Sequence, residues 1–216
     1  MKTFAVIGLG HFGSEVAKKL FDEGKEIIAI DADKERVQDA AEFSSQAICA
    51  DATDKKVLEN LSLIDVDAAI VSLGERMDTS TLTALHLKEI GVPYLIVKAI
   101  SNDHEKILRA LGVDEVLHPE EFAARSLATR LSLFGASDFL PILSDYSVVS
   151  MKTPHCFISS SVCDVESKDV QIVAVQRGNS VILTPADDEI LRAEDTLVVM
   201  GKNQNLNQLS ERIQAD

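Results

Sequence analysis

Positive charge is what this chain lacks most. Its 216 residues carry 21 Lys and Arg against 35 Asp and Glu, a formal net charge of −14. That balance excludes wrapping of nucleic acid, which needs clustered cations, and broad adhesion to anionic lipid. The surplus acid reads as a source of solubility. Cysteine is scarce as well. Cys49, Cys156 and Cys163 form no Cys-x-x-Cys pair, so a disulfide frame and a thiolate zinc site are both excluded, and free thiols in a reducing cytoplasm are expected. No apolar run approaches the ~20 residues that span a bilayer, and the N-terminus reads as a strand rather than a signal peptide. No Gly-Lys-Ser or Gly-Lys-Thr phosphate loop occurs. Tyr94 and Lys98 have the Tyr-x-x-x-Lys spacing of short-chain dehydrogenases. That pair works from a helix, where i and i+4 share a face, whereas here it falls on an apolar strand, with the two residues ~13 Å apart. No base, nucleophile or hydride-transfer site is legible.

What is present begins at once. The apolar run Thr3-Phe4-Ala5-Val6-Ile7 leads into Gly8-Leu9-Gly10-His11-Phe12-Gly13, then a helical pattern, then a second apolar run ending on Asp31. Strand, glycine turn, helix, strand and terminal acid make the dinucleotide arrangement of a Rossmann fold. Gly8 permits the tight turn, Gly10 admits a phosphate close to the backbone, and Gly13 lets helix and strand pack closely. The helix N-terminus offers unpaired N–H groups to an anion. Asp31 can accept hydrogen bonds from ribose hydroxyls. With Asp33 beside it, a 2′-phosphate would be repelled, which favours NAD or an adenine mononucleotide over NADP.

The strand–helix rhythm repeats to about residue 118. Strands are expected at Lys2–Ile7, Glu26–Asp31, Gln46–Ala50, Ala68–Ser72, Tyr94–Ala99 and Glu115–His118, and helices at Gly13–Glu23, Lys34–Ala41, Lys55–Leu61, Thr79–Ile90 and Asp103–Leu111. Short apolar strands alternating with helices predict a doubly wound parallel sheet. A further helix is expected over Glu120–Phe134, completing a first domain of residues 1–134. A linker follows at 135–145, and then a small α+β domain at 146–216. Its strands are read at Ser147–Met151, Cys156–Val162, Val170–Gln176, Val181–Thr184 and Thr196–Met200, with a hairpin turn at Arg177–Ser180 and a closing helix at Asn205–Ile213. A domain of about 70 residues is marginal alone, so dimerisation is expected.

Several polar residues fall at strand ends, where this fold puts its ligand crevice. Asp33 is either a ribose contact or the N-cap of the next helix. Asp51 either accepts from an adenine amino group or caps its own turn, as Asp54 does. The Ser72-Leu73-Gly74-Glu75 loop should line the crevice. Lys98 suits a phosphate or ribose. His11 and His104 are either phosphate contacts or ordinary polar residues. Glu120 either meets the phosphates through a divalent cation or stabilises a first helical turn.

Together these stretches identify a family resemblance. Val6 to Gly13, Ile30-Asp31-Ala32-Asp33, Ala50-Asp51-Ala52-Thr53, Val97-Lys98-Ala99 and Leu117-His118-Pro119-Glu120 resemble the RCK proteins, which regulate potassium conductance, and in particular the Ktr/Trk-type subunits. Ile172 to Gly178 and Asp195 to Gly201 resemble the small TrkA-C (RCK-C) domain. The resemblance implies a cytosolic, non-enzymatic subunit, peripheral to the membrane, that gates a potassium translocation partner. It implies a homodimer and an octameric ring. It implies adenine nucleotides (ATP, ADP or NAD(H)) bound by Gly8, Gly10, His11, Phe12, Gly13, Asp31, Ala32, Asp33, Asp51, Ala52, Leu73, Gly74, Glu75, Lys98, Ala99, Ile100 and His104. Glu120 would hold Mg2+ or Ca2+ against the phosphates. Relatives often carry Arg where this chain has His11. Two rival readings are an NAD-dependent oxidoreductase and a cyclic di-AMP sensor acting through Arg177 and Ile172–Val175.

Overall fold

The computed structural model describes residues 2–74, 76–132, 136–143, 145–167 and 169–214. The chain divides into two compact units, Met1–Pro119 and Glu120–Asp216.

Unit 1 is a parallel sheet of β1 (Thr3–Ile7), β2 (Glu26–Asp31), β3 (Gln46–Cys49), β4 (Ala68–Val71), β5 (Leu95–Lys98) and β6 (Glu115–Leu117). The helices are α1 (His11–Asp22), α2 (Lys34–Ala40), α3 (Lys55–Glu59), α4 (Met77–Ile90) and α5 (Asn102–Ala110). The spatial order is β3-β2-β1-β4-β5-β6, and every pairing is parallel. The direction of strand progression reverses between β1 and β4, and the crevice of a doubly wound sheet opens there, beyond the carboxyl ends. Both faces of the sheet are buried at its central strands. Successive side chains of a strand point to opposite faces, so Ala5 and Ile7 join one core with Ile30, Val71, Leu87 and Val97, while Val6 joins a second with Ala17, Ile27, Ala29 and Val37. This is why the strands read as unbroken apolar runs.

Unit 2 starts with α6 (Pro119–Ser132), whose first residue closes unit 1, and continues with β7 (Ala136–Leu143), β8 (Tyr146–Lys152), α7 (Val162–Val165), β9 (Val170–Arg177), β10 (Ser180–Leu183), β11 (Thr196–Lys202) and α8 (Asn203–Gln214). Its five-stranded sheet is antiparallel, in the order β10-β9-β11-β8-β7. Alternate residues of β8 and β11 are buried, among them Val149, Met151, Leu197 and Val199, and they share one core with Leu206, Leu209 and Ile213 of α8.

Two expectations are corrected. The stretch read as a linker, 135–145, contains β7, which pairs with β8. Pro141 is tolerated because β7 is an edge strand. The stretch Cys156–Val162, expected as a strand, is instead a 3-10 turn at His155–Phe157, a left-handed Ser159 and the start of α7. Ser161 and Asp164 form a capping box there, which starts a helix in place of a strand. Leu133, Phe134 and Gly135 lie outside the described residues.

Candidate functional site

The glycine turn after β1 is built by exclusion. Gly8 has a left-handed φ of +94°, and a Cβ on it would overlap the Ser72 carbonyl at the end of β4. A Cβ on Gly13 would overlap the Gly8 carbonyl. The protein's own packing requires both. Gly10 is different: no atom lies within 4 Å of where its Cβ would be. It has an extended conformation and N-caps α1 without a side-chain cap, so the first N–H groups of α1 border open space where a side chain would otherwise stand.

Asp31 ends β2, buried at 8% exposure. Its Oδ2 accepts from the Leu9 N–H of the glycine turn at 2.6 Å, and its Oδ1 from the Asp33 N–H at 2.8 Å. The acid is thereby fixed against the turn with lone pairs to spare. Asp33 N-caps α2, accepting from the Glu35 N–H. Asp54 N-caps α3 in the same way. Arg36, a residue the sequence reading passed over, lies 3.7 Å from Asp31 and 3.8 Å from Asp33. Its signal was the i,i+3 spacing from Asp33 on a helix that begins beside the acid.

The loop after β3 presents Asp51, exposed, and Ala52, buried. Asp51 Oδ1 accepts from both the N–H and the hydroxyl of Thr53, at 2.9 and 2.7 Å. The Thr53 hydroxyl, above all, holds the Asp51 carboxyl below the usual range, so it is an ionised acceptor at neutral pH. Cys49, an exposed free thiol at the end of β3, approaches the Ala32 carbonyl at 3.5 Å.

On the far side of the switch point, Leu73 and Gly74 follow β4; Glu75 lies outside the described residues. Lys98 ends β5, with its ammonium 6.0 Å from the Phe12 ring centroid. Ala99 is buried and Ile100 exposed. His104 is fully buried in the first turn of α5. Its Nδ1 accepts from the Ile100 N–H at 3.3 Å, which places the ring proton on Nε2. Nε2 has no partner among the described residues. Burial, and secondarily the neighbouring His118, push the His104 pKa down. His11 is exposed at the start of α1. The carboxyl edge of one sheet thus carries those residues from Gly8 to His104 that the sequence singled out and that are described.

Glu120 falls in unit 2, exposed in the first turn of α6. Among the described residues no group of three or more His, Cys, Asp or Glu is arranged to hold a metal ion. Arg177 is committed within unit 2. It forms a two-pronged pair with fully buried Asp195 at 2.8 and 2.7 Å, and bonds Glu189 at 2.9 Å and the Ile190 carbonyl at 3.0 Å. Ile172, Ala174 and Val175 are buried.

Strand order, glycine turn and fixed acid define unit 1 as a Rossmann module with a dinucleotide-type crevice, followed by a small antiparallel α+β unit. The TrkA-N domain model matches residues 4–119 and the TrkA-C domain model residues 157–214. The chain is 36% identical to the Ktr system potassium uptake protein C of Bacillus subtilis, over 98% of this chain and 97% of that one. It is 33% identical to the Ktr system potassium uptake protein A of the same organism, over 95% and 94%. This chain belongs to the TrkA-N/TrkA-C family of Ktr and Trk potassium uptake proteins. Its fold is also that of the GsuK RCK domain, with a TM-score of 0.66 and 16% identity, over 98% of this chain and 47% of that solved one, about half its length. No helix among the described residues is long and apolar enough to cross a membrane.

Proposed function

We propose that this chain is a nucleotide-sensing regulatory subunit that gates a membrane potassium translocation subunit, and that it is not an enzyme. Its kinship with Ktr uptake proteins supplies the system. The observation that carries the ligand is Gly10: a glycine that nothing in the protein requires, at the switch point of the sheet, beside a buried acid. A group that needs the missing Cβ's space and brings negative charge to the α1 N-terminus fits it, and a nucleotide phosphate is such a group. Asp31 would then take ribose hydroxyls, and Asp51 and Ala52 the base. ATP, ADP and NAD(H) all meet these terms.

The subunit works at the cytoplasmic face, as a homodimer built into an octameric ring under the translocation subunit. Bound nucleotide shifts the ring between shapes by its difference in affinity for them. Lys98 and the α1 N-terminus would neutralise phosphate charge. Glu120 would hold magnesium or calcium, ions that take oxygen ligands. Two domains are kept, with the boundary placed at 119/120, where the compact units meet in sequence, in place of the expected 134/135.

Mass spectrometry of nucleotide released from the purified protein, followed by calorimetry with ATP, ADP and NADH, tests the ligand. Gating is tested by ion flux through the reconstituted pair. An adenine nucleotide should bind and flux should depend on which one is present. Equal flux with every nucleotide and with none would overturn the reading.

A further inference from the structure

Helix α4 turns Ser80, Thr83, Ala84 and Leu87 inward. A hydroxyl in such a face needs a reason, because valine has the same shape and suits an apolar site better. Thr83 is fully buried, and its Oγ1 donates to the Ala52 carbonyl at 3.2 Å, thirty-one residues away in sequence. That carbonyl belongs to the loop after β3. The loop is held a second time from within, through the two bonds from Thr53 to Asp51 Oδ1 and the turn bond from the Asp54 N–H to the Asp51 carbonyl at 3.2 Å. Among the polar groups left on its two central residues are Asp51 Oδ2, an acceptor, and the Ala52 N–H, a donor. Neither has a hydrogen-bond partner among the described residues. An acceptor followed by a donor on consecutive residues complements the adenine edge, which offers the N6 amino group and then N1. Guanine presents the opposite order, O6 and then N1–H.

We infer that Thr83 is a positioning residue for base recognition: by fixing the Ala52 carbonyl from α4, it sets the tilt of the Ala52–Thr53 peptide, whose N–H grips Asp51 Oδ1, and hence the aim of Asp51 Oδ2, so that the loop selects adenine over guanine. The inference rests on the nucleotide reading above and deepens it.

The test uses the full chain with Thr83→Val, which keeps shape and removes the hydroxyl, and Thr83→Ser, which keeps the hydroxyl. Calorimetry with ATP and GTP gives the ratio of the two affinities, and thermal melting monitors the fold. Thr83→Val should weaken ATP about tenfold and leave GTP unchanged, so that the ratio collapses; Thr83→Ser should restore it. A merely structural role would lower both affinities together and leave the ratio intact. If Thr83→Val does not fold, Thr83→Ala decides by the same ratio. An unchanged ratio in a folded variant overturns the role of Thr83 and leaves the nucleotide reading standing. Wild type that binds no adenine nucleotide overturns that reading itself.

Discussion

At the scale of single residues, three glycines of one turn answer to different masters. Gly13→Ala drives a methyl into the Gly8 carbonyl and should cost at least about 3 kcal/mol, read as a lower melting temperature of unit 1. Gly10→Ala meets only open space. It should leave the melting temperature where it is and abolish nucleotide binding, a separation that melting and calorimetry on the same samples will display. His104 is a residue whose neighbours decide its charge. Burial lowers its pKa in the folded chain, so folding favours the neutral ring. The stability it supports is fully present above the unfolded value of about 6.5 and is lost as pH falls from there through the lower folded value. Protonation would also remove the acceptor for the Ile100 N–H. Urea unfolding between pH 7.5 and 5 should show wild type losing more stability than His104→Gln; parallel curves would refute this.

At the scale of elements, unit 2 is tied across its sheet by one cation. Arg177 ends β9, and Asp195 precedes β11, and their two-pronged bond is backed by Glu189. Arg177→Leu strands a buried carboxylate and should cost about 3–5 kcal/mol, measured as a shift of the denaturant midpoint. The Arg177 guanidinium holds the Asp195 carboxyl below its ordinary range. The pair's contribution is therefore present above about pH 4 and lost as pH falls through the depressed value. The strand–helix alternation of unit 1 was legible because a parallel sheet covered on both faces makes apolar runs, and the glycine turn was legible because its spacing is stereochemically fixed. Burial of His104 was not legible: Ser101-Asn102-Asp103-His104 reads as a polar helix start, and Ser101 does cap it by accepting from the His104 N–H. Asp33 serves as a cap, a role that spacing alone left open, whereas Asp54 is the cap that was expected. The segment 156–162 misled because Cys156, Phe157, Ile158 and Val162 are apolar, although Ser161-x-x-Asp164 was a helix signal in plain view. β7 was hidden by Pro141, which only an edge position allows.

At the scale of the whole molecule, the outer surfaces ask for company. Leu127 and Leu131, one turn apart on α6, are 46% and 76% exposed, and Val181 and Leu183 on the edge strand β10 are 59% and 72% exposed. Apolar surface of this kind marks association. Light scattering at micromolar concentration should give at least twice the 23.5 kDa of one chain; a stable monomer would count against the ring. Ligand occupancy and assembly could then be followed together, because the chain holds a thiol in the right place. Cys49 is exposed and free at the end of β3, on the register partner of Asp31 and against the carbonyl of Ala32. With Cys156 and Cys163 replaced by serine, a trifluoromethyl label on Cys49 would sit beside Asp31, its register partner. If nucleotide enters the crevice as proposed, its fluorine resonance would count filled and empty copies within one assembly, turning the crevice into its own census-taker.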